Sequence, residues 1–301
     1  MSEVRRRSRS RSGGIAIWKP VGITSRAALE EAERALGVRP LGHTGTLDPL
    51  ACGILVLLGG EGRKFQELLV EGEKEYRARL ILGMGSGSDD AEGPLWSTVP
   101  RPALPALSQI DEALDAFRGG YRQAPPRLSA VRVDGRRAYD RARRGEEVDP
   151  PPRPVRIDAI EVEGWEPPLL ELMVRCGPGA YLRSLARDLG ERLACGGFLA
   201  GLRRTALGSF READAVPLFA VAEERWLPLE EILTAAPRVE VSAGEGRRLS
   251  HGQEVRLAPG RAAAPQGRVV TWSEGRVRGL AEVRGSHLYP RRWLAAESAS
   301  S

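Results

Sequence analysis

The order of apolar and polar positions over the first 60 residues predicts a strand, a helix, a loop and a second strand. Residues 15–18 form a short apolar run that a Lys-Pro pair ends, as expected of a strand. Ser25 is a candidate N-cap, and apolar residues recur at helical spacing within 29–36 before a glycine. Residues 42–53 hold three glycines and a proline, which predicts a loop, and the apolar run 54–58 predicts a buried strand directly after it.

The middle of the chain predicts one more strand, a short helix and an irregular excursion. The alternation of apolar and polar residues in 76–82 predicts a strand, whereas the glycine-rich stretch 83–93 predicts a loop. We expect a short helix over 110–117. Residues 123–155 are dense in arginine and proline, so we expect them to leave the core as an exposed excursion.

A second strand, loop and helix follow in the same order as the first set. Residues 170–176 predict a strand that ends at a Gly-Pro-Gly loop. Within 182–193, the leucines and one alanine share a helical face, which places Arg183 and Arg187 away from the centre of that face. Polar groups should therefore lie beside a core element here.

The pattern changes near residue 236. The short segments 239–241, 268–272 and 277–283 each predict a strand, and glycines separate them. This pattern predicts a small β-rich domain that folds as a compact barrel. A chain of 301 residues accommodates such a domain beside a larger core of roughly 200 residues.

The charge of the chain suits a polyanionic partner without identifying it. Lysine and arginine exceed aspartate and glutamate by 5, and the sequence pI is about 9.4. Residues 1–12 combine five arginines with four serines and no core-forming residue, so we predict a disordered basic arm. That arm is either a solvated tail or a source of nonspecific phosphate contacts. Residues 295–301 predict a second disordered end.

The composition argues against a membrane, metal or disulfide protein. No apolar run approaches the roughly 18–20 residues that span a bilayer, and the basic start lacks the apolar stretch of a secretory signal, so we expect a cytoplasmic protein. Cys52, Cys176 and Cys195 are widely spaced and include no CxxC pair, so we interpret them as reduced core residues.

Asp48 is the candidate for chemistry, because it lies in the loop 42–53 just before a rigid strand. Read alone, it would be a turn residue whose carboxylate bonds nearby backbone amides. Other motifs change that interpretation. In chain order they are Lys19-Pro20 with Gly22-Ile23-Thr24-Ser25, Lys74-Glu75-Tyr76, Gln123-Ala124-Pro125-Pro126 with Ser129-Ala130, Gly135 with Ala138-Tyr139, Gly179 to Leu185 with Asp188-Leu189-Gly190, and Leu202-Arg203-Arg204-Thr205.

With these motifs in this order, residues 14–236 resemble the TruB family of tRNA pseudouridine synthases. Residues 285–293 are similar, through weaker motifs, to a PUA RNA-binding domain. The resemblance implies an α+β fold, with a mixed, largely antiparallel sheet and flanking helices in a catalytic domain over 13–236. A small β-barrel-like PUA domain would follow over 237–294.

The resemblance also implies a reaction, the conversion of uridine to pseudouridine at position 55 in the T loop of tRNA. This isomerisation involves no net redox change, so no cofactor or metal is expected. Asp48 would be the catalytic carboxylate, paired with Arg183, which would lower its pKa. Tyr76 would stack on the target base. From the residues alone, Arg183 could instead form a surface ion pair with Asp188 or Glu191, and Tyr76 could be a core residue.

The target uridine lies inside a folded loop, so the resemblance implies base flipping. His43 would pack against the displaced bases, Tyr181 and Leu202 would shape the uracil pocket, and Lys19 would complete the substrate site. Phosphate contacts would come from a set of arginines that could equally be solvated charges: Arg132, Arg136, Arg137, Arg141, Arg143, Arg144, Arg203 and Arg204. The excursion 123–155 is accordingly either an RNA-facing segment or a solvated loop.

The expected partner is tRNA, recognised through its T-arm stem-loop by a monomer that needs no guide RNA. Three other functions compete with this one. The chain could bind or fold RNA without catalysis, or it could be a related synthase acting on other RNA, including a guide-dependent one. It could also be a carboxylate-based glycosidic hydrolase, which would need a second positioned carboxyl group. Asp89 and Asp90 are acidic, but no motif gives either that role.

Overall fold

The computed structural model describes residues 11–97, 103–128, 150–258 and 264–295, together with the backbone of 132–133 and 136–137. Some predictions fall outside these residues. They concern the first ten residues of the basic arm, the tail from 296 onward, and the side chains of Arg132, Arg136, Arg137, Arg141, Arg143 and Arg144.

The described residues form six α-helices, four short 3-10 helices and twenty strands. The helices are α1 Ser25–Leu36, α2 Gln66–Val70, α3 Leu107–Leu114, α4 Leu182–Arg192, α5 Leu229–Ile232 and α6 Ala243–Ser250. The first ten strands are β1 Gly13–Lys19, β2 Leu41–His43, β3 Ala51–Gly59, β4 Lys74–Leu82, β5 Met84–Ser86, β6 Leu95–Ser97, β7 Tyr121–Gln123, β8 Arg132–Val133, β9 Arg136–Arg137 and β10 Arg153–Val155. The others are β11 Ile157–Glu166, β12 Leu169–Cys176, β13 Gly197–Leu207, β14 Phe210–Arg211, β15 Val216–Pro217, β16 Arg238–Glu240, β17 Val255–Arg256, β18 Gly267–Ser273, β19 Arg276–Arg284 and β20 His287–Trp293.

The largest sheet has nine strands and mixed directions. Its order is β11-β12-β4-β13-β3-β1-β15, with β14 beside β13 and β2 beside β3. The pairs β13–β3 and β1–β15 are parallel, and the other pairs are antiparallel. The mixed α and β architecture expected from the sequence is thereby confirmed. Strand β13 lies between β4 and β3, which are nearer each other in sequence but do not pair.

Helix α1 confirms the predicted helix but not its N-cap. The side chain of Thr24 accepts a hydrogen bond from the Ala27 amide (3.0 Å), so Thr24 is the cap. Ser25 was predicted to be the cap, and this is wrong. Its hydroxyl instead exchanges two hydrogen bonds with the backbone of Leu47, at 2.8 and 2.9 Å. The helix start is thus fixed to the loop that carries Asp48.

Three other element predictions need correction. The loop expected over 42–53 is shorter, because β2 ends at His43 and β3 begins at Ala51. The short helix expected over 110–117 begins at Leu107 and ends at Leu114, because the Gln109 side chain accepts from the Ala106 amide and starts the helix earlier (2.8 Å). The stretch 83–93 is not entirely loop, since β5 pairs with β6. Strands or helices were found for the other segments predicted between 15 and 193.

Helix α4 packs directly on the backbone at the start of β13. A Cβ built on Gly190 would lie 2.1 Å from the Gly197 amide nitrogen and 2.2 Å from the Gly196 carbonyl carbon. Backbone atoms cannot move aside as a flexible side chain can. Only glycine at position 190 therefore allows this approach, which sets the position of the residues on α4 relative to the sheet.

We expect Gly190→Ala to lower the free energy of unfolding by about 2–3 kcal/mol, the cost of overpacking against backbone. Urea unfolding of the purified variant measures this. The matched control is Gly246→Ala in α6, where a Cβ would meet nothing closer than 3.9 Å. That change should be neutral or stabilising by up to about 1 kcal/mol, because alanine favours the helix. Equal unfolding free energies for the two variants would contradict the packing argument.

The C-terminal strands form a five-stranded sheet in the order β16-β18-β19-β20-β17. Among the residues that the structure describes, no pairing joins its end strands β16 and β17, so the unit is a half-barrel. Val270, Trp272 and Leu280 from this sheet share a buried cluster with Val56 and Leu58 of β3. The two sheets are thus joined through apolar packing. No helix in the described ranges is long and apolar enough to cross a bilayer.

Candidate active site

A cleft of about 480 Å³ opens where the loop before β3 meets β4, β13 and the start of α4. It is lined by Gly45, Thr46, Leu47, Asp48, Val70, Lys74, Tyr76, Leu128, Gly179, Ala180, Tyr181, Leu182, Arg183, Leu202 and Arg204. Five of the residues predicted from the sequence therefore meet in one place: Asp48, Tyr76, Tyr181, Arg183 and Leu202. Strand β13 brings them together, because it pairs with both β3 and β4.

Asp48 lies on the loop between β2 and β3, with its side chain about one third exposed at the cleft. Its backbone carbonyl accepts from the Ala51 amide (3.0 Å), which closes a turn at the start of β3. A turn aspartate would accept hydrogen bonds from nearby backbone amides, but among the described residues no backbone amide donates to the Asp48 carboxylate. That carboxylate instead contacts the guanidinium of Arg183.

Arg183 lies in the first turn of α4 and is only 5% exposed. Its Nε is 3.0 Å from Asp48 Oδ2, and its Nη1 is 3.6 Å from Asp90 Oδ2. The guanidinium also donates to the backbone oxygens of Ser88 and Leu128. The pairing with Asp48 expected from the family resemblance is present. The surface ion pair considered as an alternative is absent among the described residues, because the carboxylates of Asp188 and Glu191 pair with Arg187 instead.

Asp90 is a site residue to which the sequence assigned no role. Its side chain is 5% exposed, and it accepts hydrogen bonds from the Ser88 hydroxyl and from the Glu92 amide (3.1 Å). These bonds hold the carboxylate against the Nη1 atom of Arg183. Arg183 thus contacts two carboxylates, and the acidic pair Asp89-Asp90 was the signal of the second one in the sequence.

The pKa of Asp48 is raised, whereas the sequence analysis expected a lowered pKa. Burial raises the pKa above the ordinary value of an aspartate, the charge of Arg183 opposes that rise, and the nearby Asp90 adds to it. Arg183 therefore lowers the pKa as expected, but desolvation has the larger effect. A buried carboxyl with a raised pKa beside a guanidinium is typical of a functional site.

Tyr76 lies on β4 opposite Arg204 of β13, and both side chains line the cleft. Tyr76 is 7% exposed, and burial raises the pKa of its hydroxyl. Arg204 is 1% exposed and donates to the backbone oxygens of Ile54 (2.8 Å) and Gly45 (3.2 Å). The alternative that Arg204 is a solvated charge is therefore wrong, and its phosphate contact stays a prediction.

Tyr181 is held at the cleft through its backbone. Its amide donates to Gln123 Oε1 (2.8 Å), and Gln123 Nε2 donates back to the Tyr181 carbonyl (3.0 Å). The guanidinium of Arg153 lies 5.5 Å from the centre of the Tyr181 ring. Gln123 belongs to a motif quoted from the sequence, but its role in holding Tyr181 was not predicted.

The structure places Lys19, His43 and Arg203 outside the residues that line the cleft. Lys19 is fully buried and donates to the backbone oxygens of Pro20 and Ile23 at 2.7 Å, and burial lowers its pKa to about 8. Arg203 pairs with Glu212 and lies 5.1 Å from the ring centre of Trp18. His43 is held through its backbone oxygen by a side-chain donor from α2, and burial lowers its pKa.

The chemistry available to this cleft is that of a half-buried carboxylate. Asp48 can attack an electrophilic carbon or accept a proton, and Arg183 orients it. Tyr76 offers an aromatic ring and a hydroxyl at the same site. Within the described part of the chain, no three histidine, cysteine, aspartate or glutamate side chains are grouped as metal ligands.

Three family descriptions match consecutive parts of the chain. They are "TruB family pseudouridylate synthase (N terminal domain)" over residues 33–182, "tRNA pseudouridylate synthase B C-terminal domain" over 183–235, and "Pseudouridine synthase II TruB, C-terminal" over 237–294. The first two matches include every residue placed in the cleft.

Proteins similar along nearly the whole length carry the same family name. The tRNA pseudouridine synthase B of Synechococcus sp. (strain WH7803) is 41% identical over 280 residues, which cover 89% of this chain and 92% of that protein. The tRNA pseudouridine synthase B of Aromatoleum aromaticum is 40% identical over 301 residues, covering 97% and 96%.

Solved structures share the fold at lower identity. The archaeal box H/ACA sRNP Nop10-Cbf5 complex contains a chain that is 22% identical with a TM-score of 0.68, over 92% of this chain and 80% of that one. A chain of an H/ACA RNP bound to a substrate RNA containing 2'-deoxyuridine is 20% identical with a TM-score of 0.68, over 95% and 86%. Fold and site thus define a pseudouridine synthase. Within that class, the chain belongs to the TruB family.

Proposed function

We propose that this protein converts uridine to pseudouridine at position 55 in the T loop of tRNA, with Asp48 as the catalytic carboxylate. The observation that carries the proposal is the cleft in which Asp48 contacts Arg183 while Tyr76 lines the same space. The tRNA substrate is supported by the names of relatives that are 40–41% identical over nearly the whole chain.

The reaction breaks the bond between N1 of uracil and C1′ of ribose and forms a bond between C5 and C1′. C5 loses its proton and N1 gains one, so atoms and electrons balance without a redox partner or cofactor. Asp48 initiates the reaction, either by attack on a carbon or by removal of a proton from the sugar, and both routes need the ionised carboxylate. Arg183 stabilises that ionised form, since its charge lowers the pKa of Asp48.

The cleft is sized for a single extruded nucleotide, so we propose that the target base is flipped out of the T loop. Leu202 and Tyr181 shape the pocket for uracil, and the ring of Tyr76 stacks on it. His43, Lys19, Arg132 and Arg203 were also predicted to bind substrate. Of these, His43 lies on β2, the strand that leads into the Asp48 loop. We therefore propose that His43 packs against the displaced bases.

We further propose that the protein acts as a monomer in the cytoplasm, without guide RNA, on the T-arm stem-loop. The half-barrel at the C-terminus would be a PUA-like module that contacts RNA outside the cleft. It presents exposed arginines such as Arg291 and Arg292 on β20.

The test is tritium release from an unmodified T-arm stem-loop labelled at C5 of uracil, with purified protein and no cofactor. We expect stoichiometric release under excess enzyme and pseudouridine at position 55 in the product. A stem-loop with cytidine at that position is the control and should release none from the site. Tight binding of the labelled RNA without release, repeated with full-length tRNA, would favour the noncatalytic RNA-binding function.

The glycosidic hydrolase reading loses support from the geometry of the second carboxylate. Asp90 is the carboxylate nearest the Asp48–Arg183 pair in the described residues, yet it is 5% exposed and does not line the cleft. A hydrolase of this type needs both carboxyl groups at the scissile bond. Asp90 contacts Arg183 instead, which suits a role in orienting that guanidinium.

A further inference from the structure

Gln123 is a buried polar side chain to which the reaction scheme above gives no role. It lies at the end of β7 and is 1% exposed. Its Oε1 accepts a hydrogen bond from the Tyr181 amide (2.8 Å), and its Nε2 donates to the Tyr181 carbonyl (3.0 Å) and to the Tyr121 hydroxyl (2.6 Å). Both amide hydrogens of Gln123 are therefore used, and two of these three bonds go to the backbone of a residue that lines the cleft.

The neighbours of Gln123 determine which way its amide points. A glutamine amide can turn by half a rotation, which exchanges its oxygen with its nitrogen. On α4, Arg187 fixes the carboxylate of Asp188 by donating from Nε and Nη2 to Oδ1 (3.0 and 2.8 Å). The Tyr121 hydroxyl donates its one hydrogen to Asp188 Oδ2 (3.0 Å), because a carboxylate only accepts. The Tyr121 oxygen can then only accept, so the nitrogen of Gln123 must face it and the oxygen must face the Tyr181 amide.

Tyr181 lies where the direction of its peptide decides the position of its ring. It is the N-cap of α4, with an extended backbone (φ −110°, ψ 118°), and it follows the glycine-rich loop that ends at Gly179. The two bonds from Gln123 fix this peptide on both its amide and its carbonyl side. Arg153, which pairs with Gln123 across β7 and β10, places its guanidinium 5.5 Å from the centre of the Tyr181 ring. The backbone and the ring of Tyr181 are therefore both held by this pair of strands.

We propose that Gln123 is a positioning residue that acts through Tyr181 and keeps its ring at the wall of the uracil pocket. The inference rests on the proposed function, in which Tyr181 shapes that pocket. The uracil leaves C1′ from N1 and returns through C5, so the base must turn while the walls of the pocket stay in place. A displacement of about 1 Å in such a wall can lower a rate roughly 100-fold. Tyr121 acts one step further away, by orienting the amide of Gln123.

The test is a double-mutant cycle on the T-arm stem-loop with wild type, Gln123→Leu, Tyr181→Ala and the double variant. We expect Gln123→Leu to lower kcat roughly 10- to 100-fold with KM within about threefold of wild type, because the stem-loop is also bound outside the cleft. In the Tyr181→Ala background the same change should lower kcat by no more than about threefold. That background keeps the peptide but lacks the ring, so independent, multiplicative losses would overturn the proposal.

Gln109→Leu is the matched control, because Gln109 makes the same kind of bond at another helix. Its Oε1 accepts from the amide of Ala106, the N-cap of α3 (2.8 Å), and neither residue lines the cleft. The control should lose some stability to urea but keep the wild-type kcat.

Tyr121→Phe tests the orientation of the amide and carries the test if Gln123→Leu fails to fold, which urea unfolding identifies. It removes the hydroxyl that accepts from Gln123 and leaves the tyrosine ring. We expect kcat to fall roughly 3- to 10-fold, the effect of one net hydrogen bond. Wild-type kcat in Tyr121→Phe would overturn the proposed orientation of Gln123.

A measurement without turnover separates this proposal from the proposed function. In protein labelled with ¹⁵N at its five tyrosines, the backbone amide resonance of Tyr181 is assigned by its loss in Tyr181→Ala. It should shift in Gln123→Leu and stay in place in Gln109→Leu. An unmoved resonance in Gln123→Leu would refute the contact between Gln123 and Tyr181. Absence of tritium release from wild type would instead refute the proposed function.

Discussion

Asp48→Asn should abolish isomerisation while leaving RNA binding intact. Asparagine keeps the size of the side chain but can neither attack a carbon nor accept a proton. We therefore expect the rate of tritium release to fall at least roughly 10⁴-fold, the size of loss seen when one member of a catalytic group is removed. Affinity for the T-arm stem-loop should change by less than about fivefold, because the loop is held by Ser25 and Ala51 rather than by the carboxylate.

Asp111→Asn is the matched control for that experiment. Asp111 lies on α3 with a side chain that is 62% exposed and that pairs with Arg118 at the surface. The same chemical change there should alter neither release nor binding. Full isomerisation by Asp48→Asn would contradict the assigned chemistry, and loss of RNA binding in that variant would mean that the carboxylate supports the loop.

Arg183→Met should lose both activity and stability, and the loss of stability should depend on pH. The change removes the cation that the carboxylates of Asp48 and Asp90 both contact. Removing one partner of a buried ion pair costs about 3–5 kcal/mol, and partial exposure of Asp48 favours the lower end. We also expect at least a roughly 100-fold lower rate, since the carboxylate loses the group that orients it.

The sign of the pH effect follows from Asp48. Its folded pKa already lies above the ordinary value, and removing Arg183 raises it further. A carboxyl with a raised folded pKa contributes stability at acid pH that is lost as pH rises through that pKa. Urea unfolding at several pH values should therefore show a deficit for Arg183→Met that is large at neutral pH and smaller near pH 4–5.

Arg192→Met serves as the control on the same helix, because Arg192 is exposed in the last turn of α4. It should match wild type in stability and in tritium release. A deficit for Arg183→Met that is equal at all pH values would show that lost packing, not uncompensated charge, explains the effect.

The sequence predicted the parts of the site that lie in local motifs. The loop with Asp48, strand β4 with Tyr76 and helix α4 with Arg183 were each placed from glycine, alternation or helical spacing. The burial of Arg183 was not predicted, because helical periodicity puts it on the polar side. Only the fold shows that the segment with Ser88 and Asp90 packs against the Arg183 side chain.

Strand β13 was the largest element that the pattern did not predict. Its sequence contains two glycines and two adjacent arginines, so it has neither the alternation nor the apolar run of a central strand. Arg204 is tolerated there because its guanidinium donates to backbone oxygens across the sheet. These oxygens belong to Gly45 and Ile54, and no local pattern around residue 204 can reveal them.

The position of β13 has a consequence for how the chain folds as it is made. Strands β3 and β4 are complete by residue 82, but each must wait for residues 197–207 before its inner edge is paired. During synthesis, more than a hundred residues emerge while two apolar strands keep open edges, which are sites of wrong pairing between chains. Asp48 therefore leaves the ribosome early and the strand that completes its surroundings late, and over that interval the open edges of β3 and β4 are exposed to wrong pairing.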